Sequence, residues 1–190
     1  YKVYMINRDP MIVYLEDFLQ PGEAEHMISI AKPRMERSRV VGEQKHSDTR
    51  TSSSAYLDKS MDSVVRCIEQ RASQFSNISV EATESLQVVW YTKGQEFRPH
   101  HDYLMRKDLK HDHWSRHGQR YVTILVYLNE PTKGGSTLFS TLGIDIKPKK
   151  NDAIFWYNVG LNELEDIRTM HGGSPVEEGE KYAINIWQRK

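Results

Sequence analysis

The chain of 190 residues is long enough for one domain with a sizeable core, and its 38% hydrophobic and 27% charged residues are typical of an ordinary globular protein. Its 26 basic residues balance 26 acidic ones, so no excess of positive charge favours nucleic acid as a partner. The single cysteine excludes an internal disulfide. No run of about 18 apolar residues occurs, so we expect no membrane span in this chain.

The compartment depends on the source of the chain. Because the sequence begins at Tyr1 rather than at a methionine, we expect a processed or trimmed chain whose targeting segments lie outside it. We therefore expect the secretory pathway (endoplasmic reticulum lumen) for a eukaryotic source and the cytoplasm for a bacterial one. The oligomeric state is left open.

Two helices are predicted in the first part of the chain, after a short apolar run at 11–14 that indicates a strand. Ala24, Met27, Ile28 and Ala31 have the spacing of an amphipathic helix that ends near Pro33. The same spacing recurs between residues 61 and 75, and Cys67 lies on or near that apolar face. We therefore expect Cys67 to be a small buried hydrophobic residue.

A polar loop follows the first helix. Residues 42–54 contain almost no apolar side chains, which is typical of a solvated loop. We consider the part at 42–50 a candidate mobile lid.

From residue 85 onward the pattern changes to that of β-strands. Four short runs are rich in β-branched and aromatic residues and are separated by glycine-rich turns, at 86–91, 121–128, 153–157 and 182–187. This order predicts an α+β fold with a double-stranded β-helix (jelly roll) core and N-terminal helices packed on one side. We expect one domain over 1–190, with a helical support region and mobile loop at 1–84 and the jelly-roll catalytic core at 85–190.

A candidate metal site lies in the segment from Pro99 to Asp102. Side chains at i and i+2 of an extended strand point the same way, so His100 and Asp102 can converge on one ion while His101 points elsewhere. His171, the only histidine after residue 117, begins a Gly-Gly turn and is the candidate third ligand. Two imidazoles and one carboxylate form a facial triad for Fe(II) that leaves positions open. Taken alone, this pattern is a weak signal.

Other histidines offer competing metal sites. A second H-x-D occurs at His46 and Asp48, but it lies in the polar loop, where no strand framework is predicted. His111, His113 and His117 lie in a charged stretch that is read either as a solvated connection or as a zinc site. A closed structural zinc site is disfavoured because no cysteine accompanies these histidines.

Lys181 strengthens the iron hypothesis. It opens a strand in which Lys181, Ala183, Asn185 and Trp187 share one face. We expect that face to line the mouth of the barrel, where a buried ammonium needs an anionic partner such as a dicarboxylate. The alternative is a surface lysine at the start of a strand.

Several ordered motifs carry a family resemblance. They are the segments at 91–103, 120–129, 134–139, 148–157 and 171–181, with a looser match at 50–56 and in the helices before it. Together they resemble the prolyl 4-hydroxylases, which are Fe(II)- and 2-oxoglutarate-dependent dioxygenases. Ordered motifs with fitting gaps are far more specific than the three candidate ligands alone.

The resemblance implies roles for individual residues. It makes His100, Asp102 and His171 the iron ligands and, with Lys181, the catalytic residues. Lys181 would bind the far carboxylate of 2-oxoglutarate, and the family positions that line the cosubstrate pocket fall on Tyr91 and Thr137. Positions near the peptide fall on Arg120 and Trp187.

Further aromatic residues are candidates for the peptide groove. A proline-rich peptide in the polyproline II conformation suits an aromatic groove, for which the sequence offers Tyr103, Trp114, Tyr157 and Trp187. The chain departs from the commoner family pattern at Phe97, where many members have tyrosine. It also departs at Arg189, where animal and plant members often have histidine.

The activity implied by the resemblance is hydroxylation of peptidyl proline to 4-hydroxyproline. Fe(II), 2-oxoglutarate, O2 and ascorbate would be the cofactors and cosubstrates, and succinate and CO2 the coproducts. The alternative is a related dioxygenase that acts on another residue or on a non-peptide molecule. A non-catalytic binding module is disfavoured because all three ligands and the lysine are present, and a nucleic-acid demethylase is disfavoured by the zero net charge.

Overall fold

The computed structural model describes residues 1–38, 49–104, 118–160 and 162–190. Two α-helices occur there, α1 (Glu23–Ala31) and α2 (Ser63–Ser76). The strands are β1 (Lys2–Arg8), β2 (Met11–Glu16), β3 (Glu36–Arg37), β4 (Ser53–Leu57), β5 (Leu86–Tyr91), β6 (Phe97–His100), β7 (Arg120–Tyr127), β8 (Lys133–Gly134), β9 (Thr137–Phe139), β10 (Ile144–Ile146), β11 (Ala153–Tyr157), β12 (His171–Gly173), β13 (Val176–Glu178) and β14 (Lys181–Arg189).

The larger sheet has eight strands in the order β1-β2-β11-β7-β14-β5-β4-β3, all paired antiparallel. Alternation along the central strand β7 separates its two faces. Val122, Ile124 and Val126 belong to one buried cluster, whereas Leu125 and Tyr127 belong to another. The sheet therefore has a core on each side.

The helices cover the outer face of this sheet. Buried residues of α1 (Ala24, Met27, Ala31) and of α2 (Val65, Ile68, Ala72) join the cluster formed by the outer-face side chains of β7 and β14. Asp62 caps α2 by accepting a hydrogen bond from Val65 N at 2.8 Å. The expected packing of N-terminal helices on one side of a jelly roll is confirmed.

The inner face packs against a smaller sheet in the order β10-β9-β12-β6. Phe139 of β9 and Phe97 of β6 contact the same cluster as Tyr127 and Trp156 of the larger sheet. In the smaller sheet His171 is directly opposite His100, because β12 pairs antiparallel with β6. The jelly roll thus brings together two residues far apart in sequence.

Two features of the first part of the chain differ from expectation. Besides the expected strand β2, strands β1, β3 and β4 also join the larger sheet, although β4 includes serines that have little intrinsic strand preference. The prediction for Cys67 was wrong: its side chain is exposed, because the buried stripe of α2 passes through Val65, Ile68 and Ala72.

Some predicted features lie outside the described residues. These are the second H-x-D at His46 and Asp48, the three histidines at 111–117, and all but the last two residues of the candidate lid at 42–50. Among the helices that are described, none is long and apolar enough to cross a membrane.

Candidate metal and cosubstrate site

The candidate ligands lie at strand ends that meet at the mouth of the jelly roll. His100 ends β6, Asp102 follows it by two residues, and His171 begins β12. A Cβ atom on Gly172 would be only 2.9 Å from the backbone oxygen of Phe97, so only glycine lets the two strands approach this closely. The Gly-Gly turn after His171 thus has a direct structural reason.

The three side chains converge on one point. Their nearest ligand atoms all lie within 4.8 Å of one another. Nε2 of His100 is 3.5 Å from Asp102 Oδ1, and Nε2 of His171 is 3.6 Å from Asp102 Oδ2. Asp102 and His171 are buried and His100 is partly exposed, which leaves one side of the group open to the pocket.

Hydrogen bonds from outside the group orient each of these side chains. Nδ1 of His100 is 2.9 Å from the backbone oxygen of Arg98, and Nδ1 of His171 is 2.9 Å from that of Thr169. A carbonyl oxygen only accepts, so Nδ1 carries a proton in both rings, and in the neutral form of either ring the free lone pair is on Nε2. Neutral imidazoles fixed in this tautomer are suited to metal binding.

Asp102 is held in the same way. Its Oδ2 accepts hydrogen bonds from Thr123 Oγ1 at 2.9 Å and from Trp187 Nε1 at 3.0 Å. These two donors bind Oδ2, which also lies 3.6 Å from His171 Nε2, and leave Oδ1 facing His100 without a competing donor among the described residues. The sequence analysis did not identify Thr123, although its parity with Leu125 and Tyr127 on β7 placed it on the inner face.

The protonation states of Asp102 and His171 favour binding of a cation. Burial opposes ionisation of Asp102, but the nearby His171 and His100 outweigh it and lower the pKa of this carboxyl. Burial lowers the pKa of His171 to about 4, against the opposing attraction of Asp102. At neutral pH the group therefore presents one carboxylate and an unprotonated His171.

Lys181 lies in the same pocket, which is also lined by Tyr91, Thr137, Ala183, Asn185 and Trp187. Only 4% of Lys181 is exposed, and its Nζ donates a hydrogen bond to Gly135 O at 2.6 Å. No carboxylate within the described ranges forms an ion pair with it, and burial lowers the pKa of its ammonium from 10.5 to about 7. A buried ammonium that lacks a counter-ion among the described residues is a candidate binding site for an anion.

Aromatic and hydroxyl groups surround this ammonium. Nζ of Lys181 is 5.9 Å from the ring centre of Tyr91 and 5.4 Å from that of Tyr127. Tyr127 OH and Thr137 Oγ1 form a buried hydrogen bond of 2.7 Å. The structure thus brings Tyr91 and Thr137 to the pocket as expected, and it places the fully buried Tyr127 behind them, in contact with Thr137 and near Lys181.

The two residues expected near the peptide contact each other. The guanidinium of Arg120 lies 3.7 Å from the ring centre of Trp187, and it donates two hydrogen bonds to Glu84, at 2.7 and 2.9 Å. Arg189 also donates to Glu84, at 2.8 Å. Both arginines are buried, and Trp187 lines the pocket whereas Arg120 lies behind it. Burial opposes ionisation of Glu84, but Arg120 and Arg189 outweigh it and lower the pKa of this carboxyl.

The remaining candidates lie around the rim. His101 turns away from the candidate ligands, as expected from strand parity: its Nε2 is 3.0 Å from the backbone oxygen of Ile167, and its ring stacks on Tyr103. Phe97 stacks on the ring of His100, with 3.5 Å between ring centres. Tyr157, a candidate for the peptide groove, lines a different cavity.

Residues 86–189 match the 2OG-Fe(II) oxygenase superfamily. The chain is 36% identical over 209 residues to prolyl 4-hydroxylase 1 of Arabidopsis thaliana, with all of this chain and 72% of that protein covered. This chain belongs to the prolyl 4-hydroxylases. It is also 34% identical to prolyl 4-hydroxylase subunit alpha-2 of Caenorhabditis elegans, where 98% of this chain spans only 35% of that protein.

A solved prolyl hydroxylase has the same fold. The viral collagen prolyl hydroxylase of Paramecium bursaria Chlorella virus-1, in complex with 2-oxoglutarate, superimposes with a TM-score of 0.75 at 27% identity, covering 93% of this chain and 94% of that one. Fe(II) and 2-oxoglutarate are accordingly the metal and cosubstrate of this prolyl 4-hydroxylase. Two imidazoles and a carboxylate fit ferrous iron, and the unpaired Lys181 ammonium fits a dicarboxylate.

Proposed function

We propose that this chain is a single-domain dioxygenase that converts peptidyl proline to 4-hydroxyproline. One oxygen atom of O2 enters the proline C4–H bond and the other enters succinate, while 2-oxoglutarate loses CO2. Ascorbate serves as the reductant that keeps the iron ferrous. The observation that carries the proposal is that one pocket contains three potential metal ligands and a buried lysine that pairs with no carboxylate of the described residues.

Each pocket residue has a proposed role. Nε2 of His100, Nε2 of His171 and Asp102 Oδ1 would hold the iron, which supplies the redox chemistry of oxygen activation when bound. Lys181 would pair with the far carboxylate of 2-oxoglutarate. Its ammonium is already removed from water in the folded protein, so binding does not have to desolvate it. Tyr91 and Thr137 would fix the cosubstrate from the side.

The walls of the pocket keep water out. His171 is packed against Phe139 and Trp156, with 5.6 and 4.6 Å between ring centres, and His100 is stacked on Phe97. This dry surrounding strengthens the electrostatic contacts of the group. Trp187 and Tyr103 are proposed to contact the peptide around the open side. Arg120, which the sequence placed near the peptide, is buried behind Trp187 and is proposed to hold that ring in place.

The test of this function is oxidation of peptides. The protein is incubated with Fe(II), 2-oxoglutarate, ascorbate and proline-rich peptides, and mass spectrometry should find one added oxygen on proline together with stoichiometric succinate. If succinate forms while a group other than proline gains the oxygen, that group and not proline is the substrate. Wild-type activity without 2-oxoglutarate would overturn the whole assignment.

A metal titration tests the ligands independently of turnover. His171→Ala should abolish Fe(II) binding, because the triad loses one of its three ligands. His101→Ala is the matched control, since its ring contacts Ile167 O rather than the group, and it should bind Fe(II) like the wild type. Unchanged Fe(II) affinity in His171→Ala would remove that residue from the site.

The relatives include plant and animal prolyl 4-hydroxylases. For a eukaryotic source we propose that the protein acts in the endoplasmic reticulum lumen. Fractionation of the source cells checks this, and recovery of the protein with cytosolic markers alone would contradict it.

A further inference from the structure

A second cavity lies beside the candidate active site, with a volume of about 400 Å³, which is within the range of ligand-binding pockets. Its apolar lining consists of Pro10, Met11, Tyr121, Tyr157 and Val159. The exposed residues Arg8 and Asp9 and the buried Asp166 form its polar edge. None of these residues belongs to the pocket of the metal-binding triad.

Three segments connect this cavity with the candidate metal site. On β7, Tyr121 lines the cavity and Thr123 donates a hydrogen bond to Asp102. On β11, Trp156 lines the pocket of the triad, and the next residue, Tyr157, lines the cavity from the opposite face of the strand, where it packs with the helix-side cluster.

The third connection is the segment from Asp166 to His171. Asp166 lines the cavity, the backbone oxygen of Ile167 contacts His101, and His171 belongs to the triad. Two residues of strand span about 7 Å, so a substrate chain that reaches both sites needs at least about two to three residues of polyproline II helix between them.

The chemistry of the lining favours a proline-rich chain. The rings of Tyr121 and Tyr157 meet edge to face, 5.5 Å apart at 78°, and neither hydroxyl has a hydrogen-bond partner within the described residues. A polyproline II helix leaves its carbonyl groups free, and it is recognised by aromatic grooves that offer such donors.

The charged residues at the edge of the cavity also favour an uncharged ligand. Arg168 Nη2 pairs with Asp9 at 2.8 Å and with Asp166 at 2.7 Å, and Arg8 lies at the same edge, so two basic groups balance two acidic ones there. A ligand with a net charge would therefore meet no excess of opposite charge at this edge. An uncharged apolar segment with free carbonyls fits better.

We propose that this cavity is a second docking site for the substrate polypeptide, which holds a proline-rich segment a few residues away from the proline that is hydroxylated. The proposal rests on the proposed function for the identity of the substrate. It assigns to Tyr157 a place in peptide binding that is separate from the pocket of Lys181.

The test compares peptides of two lengths with a blocking variant. Met11→Glu places a carboxylate at the cavity, and Met61→Glu is the matched control, because the two methionines are 38% and 37% exposed and Met61 lies outside the cavity. With a proline-rich peptide of about ten residues on each side of the target, Met11→Glu should raise KM about tenfold and leave kcat unchanged. With a peptide of one residue on each side, both variants should match the wild type.

Tyr121→Phe and Tyr157→Phe remove only the hydroxyl groups and keep the rings, so they should raise KM for the long peptide by a smaller factor. Equal KM values of the wild type for long and short peptides would overturn the docking site. So would an equal effect of Met11→Glu on both lengths, which would mean that the cavity only supports the active site.

A binding measurement separates this proposal from the proposed function. Fluorescence anisotropy of a labelled proline-rich peptide needs no turnover, and its affinity should fall about tenfold in Met11→Glu and not in Met61→Glu. If peptides are bound with this difference but none is hydroxylated, the docking site stands and the proposed acceptor fails. If peptides are hydroxylated and the two variants bind alike, the docking site alone fails.

Discussion

At the scale of single residues, Lys181 shows a conflict between stability and function. Its ammonium is buried without a counter-ion in the described part of the chain, and its pKa of about 7 is far below the usual 10.5. The folded state therefore binds this proton less tightly than the unfolded chain, so the penalty is complete below pH 7 and fades as the pH rises towards 10.5. An anionic ligand that pairs with this ammonium would offset the penalty, which fits a role of Lys181 in ligand binding.

Replacing this lysine should stabilise the folded protein and abolish its binding of 2-oxoglutarate. Lys181→Met removes a charge burial that costs a few kcal/mol, whereas the lost hydrogen bond to Gly135 O costs about 1 kcal/mol. We expect the melting temperature at neutral pH to rise by several degrees and its increase on adding 2-oxoglutarate to vanish. Thermal unfolding with and without the cosubstrate measures both, with Lys93→Met on the surface as the control. A lower melting temperature would contradict the assigned burial cost.

The same pKa predicts how cosubstrate binding depends on pH. The carboxylate of 2-oxoglutarate would raise the pKa of Lys181, so binding takes up a proton at pH values between about 7 and the raised pKa of the complex. Affinity for 2-oxoglutarate should then fall by up to about tenfold per pH unit above pH 7. Calorimetry in two buffers of different ionisation enthalpy measures the proton uptake. Lys181→Arg, whose guanidinium keeps its proton, should lose the dependence, and a flat wild-type profile between pH 7 and 9 would contradict the role of Lys181.

At the scale of elements, the contact between β6 and β12 sets the distance between the two candidate histidine ligands. These strands carry His100 and His171 opposite each other. Gly172 lies where the strands are closest, and a Cβ there would meet the backbone oxygen of Phe97 at 2.9 Å. A backbone atom cannot move aside as a flexible side chain can, so the strands themselves would have to separate.

Neighbouring glycines provide a matched pair of variants for this contact. Gly172→Ala should weaken Fe(II) binding by about ten- to hundredfold, because both imidazoles lose their positions. Gly173→Ala should bind Fe(II) normally, since its nearest atom, Phe97 N, would be 3.9 Å away, an ordinary contact. Titration of both variants with Fe(II) gives the comparison. Equal affinities would mean that the strand distance does not position the triad.

Some of the helices and strands were predictable from the local apolar pattern of the sequence, and others were not. The strands β5, β7, β11 and β14 and both helices follow from periodicity, because each has a strong apolar pattern of its own. The strand β4 and the exposure of Cys67 do not, because pairing partners and the exact direction of the helix stripe decide them. The convergence of His100 and Asp102 was predictable from strand parity, whereas their meeting with His171 depends on the pairing of β6 with β12.

At the scale of the whole molecule, β1 forms one edge of the larger sheet. Val3 and Met5 are 54% and 52% exposed, and the outer side of the strand pairs with no other described strand. An exposed apolar edge strand can pair with another chain. This face is therefore the place where we expect the protein to self-associate at high concentration.

A charge on this edge should suppress that association. Met5→Lys should lower light scattering at high protein concentration without a measurable change in the melting temperature, because the side chain is exposed on the folded protein. Met61→Lys, which changes a methionine away from β1, is the control. Scattering that is unchanged in Met5→Lys, or reduced equally in both variants, would exclude β1 as the contact.

The chemical types and their local order can be read along the chain: an H-x-D in extended chain, a distant histidine before Gly-Gly, and a lysine on the polar face of a strand. These depend on spacing along the chain, which a single strand or helix fixes on its own. Which of these groups meet depends on the tertiary structure. Pairing of distant strands brings the triad together, buries Lys181 without a counter-ion among the described residues, and places Tyr157 at the second cavity rather than at the pocket of the triad. Register between strands is a property of the whole sheet, so no local pattern specifies it.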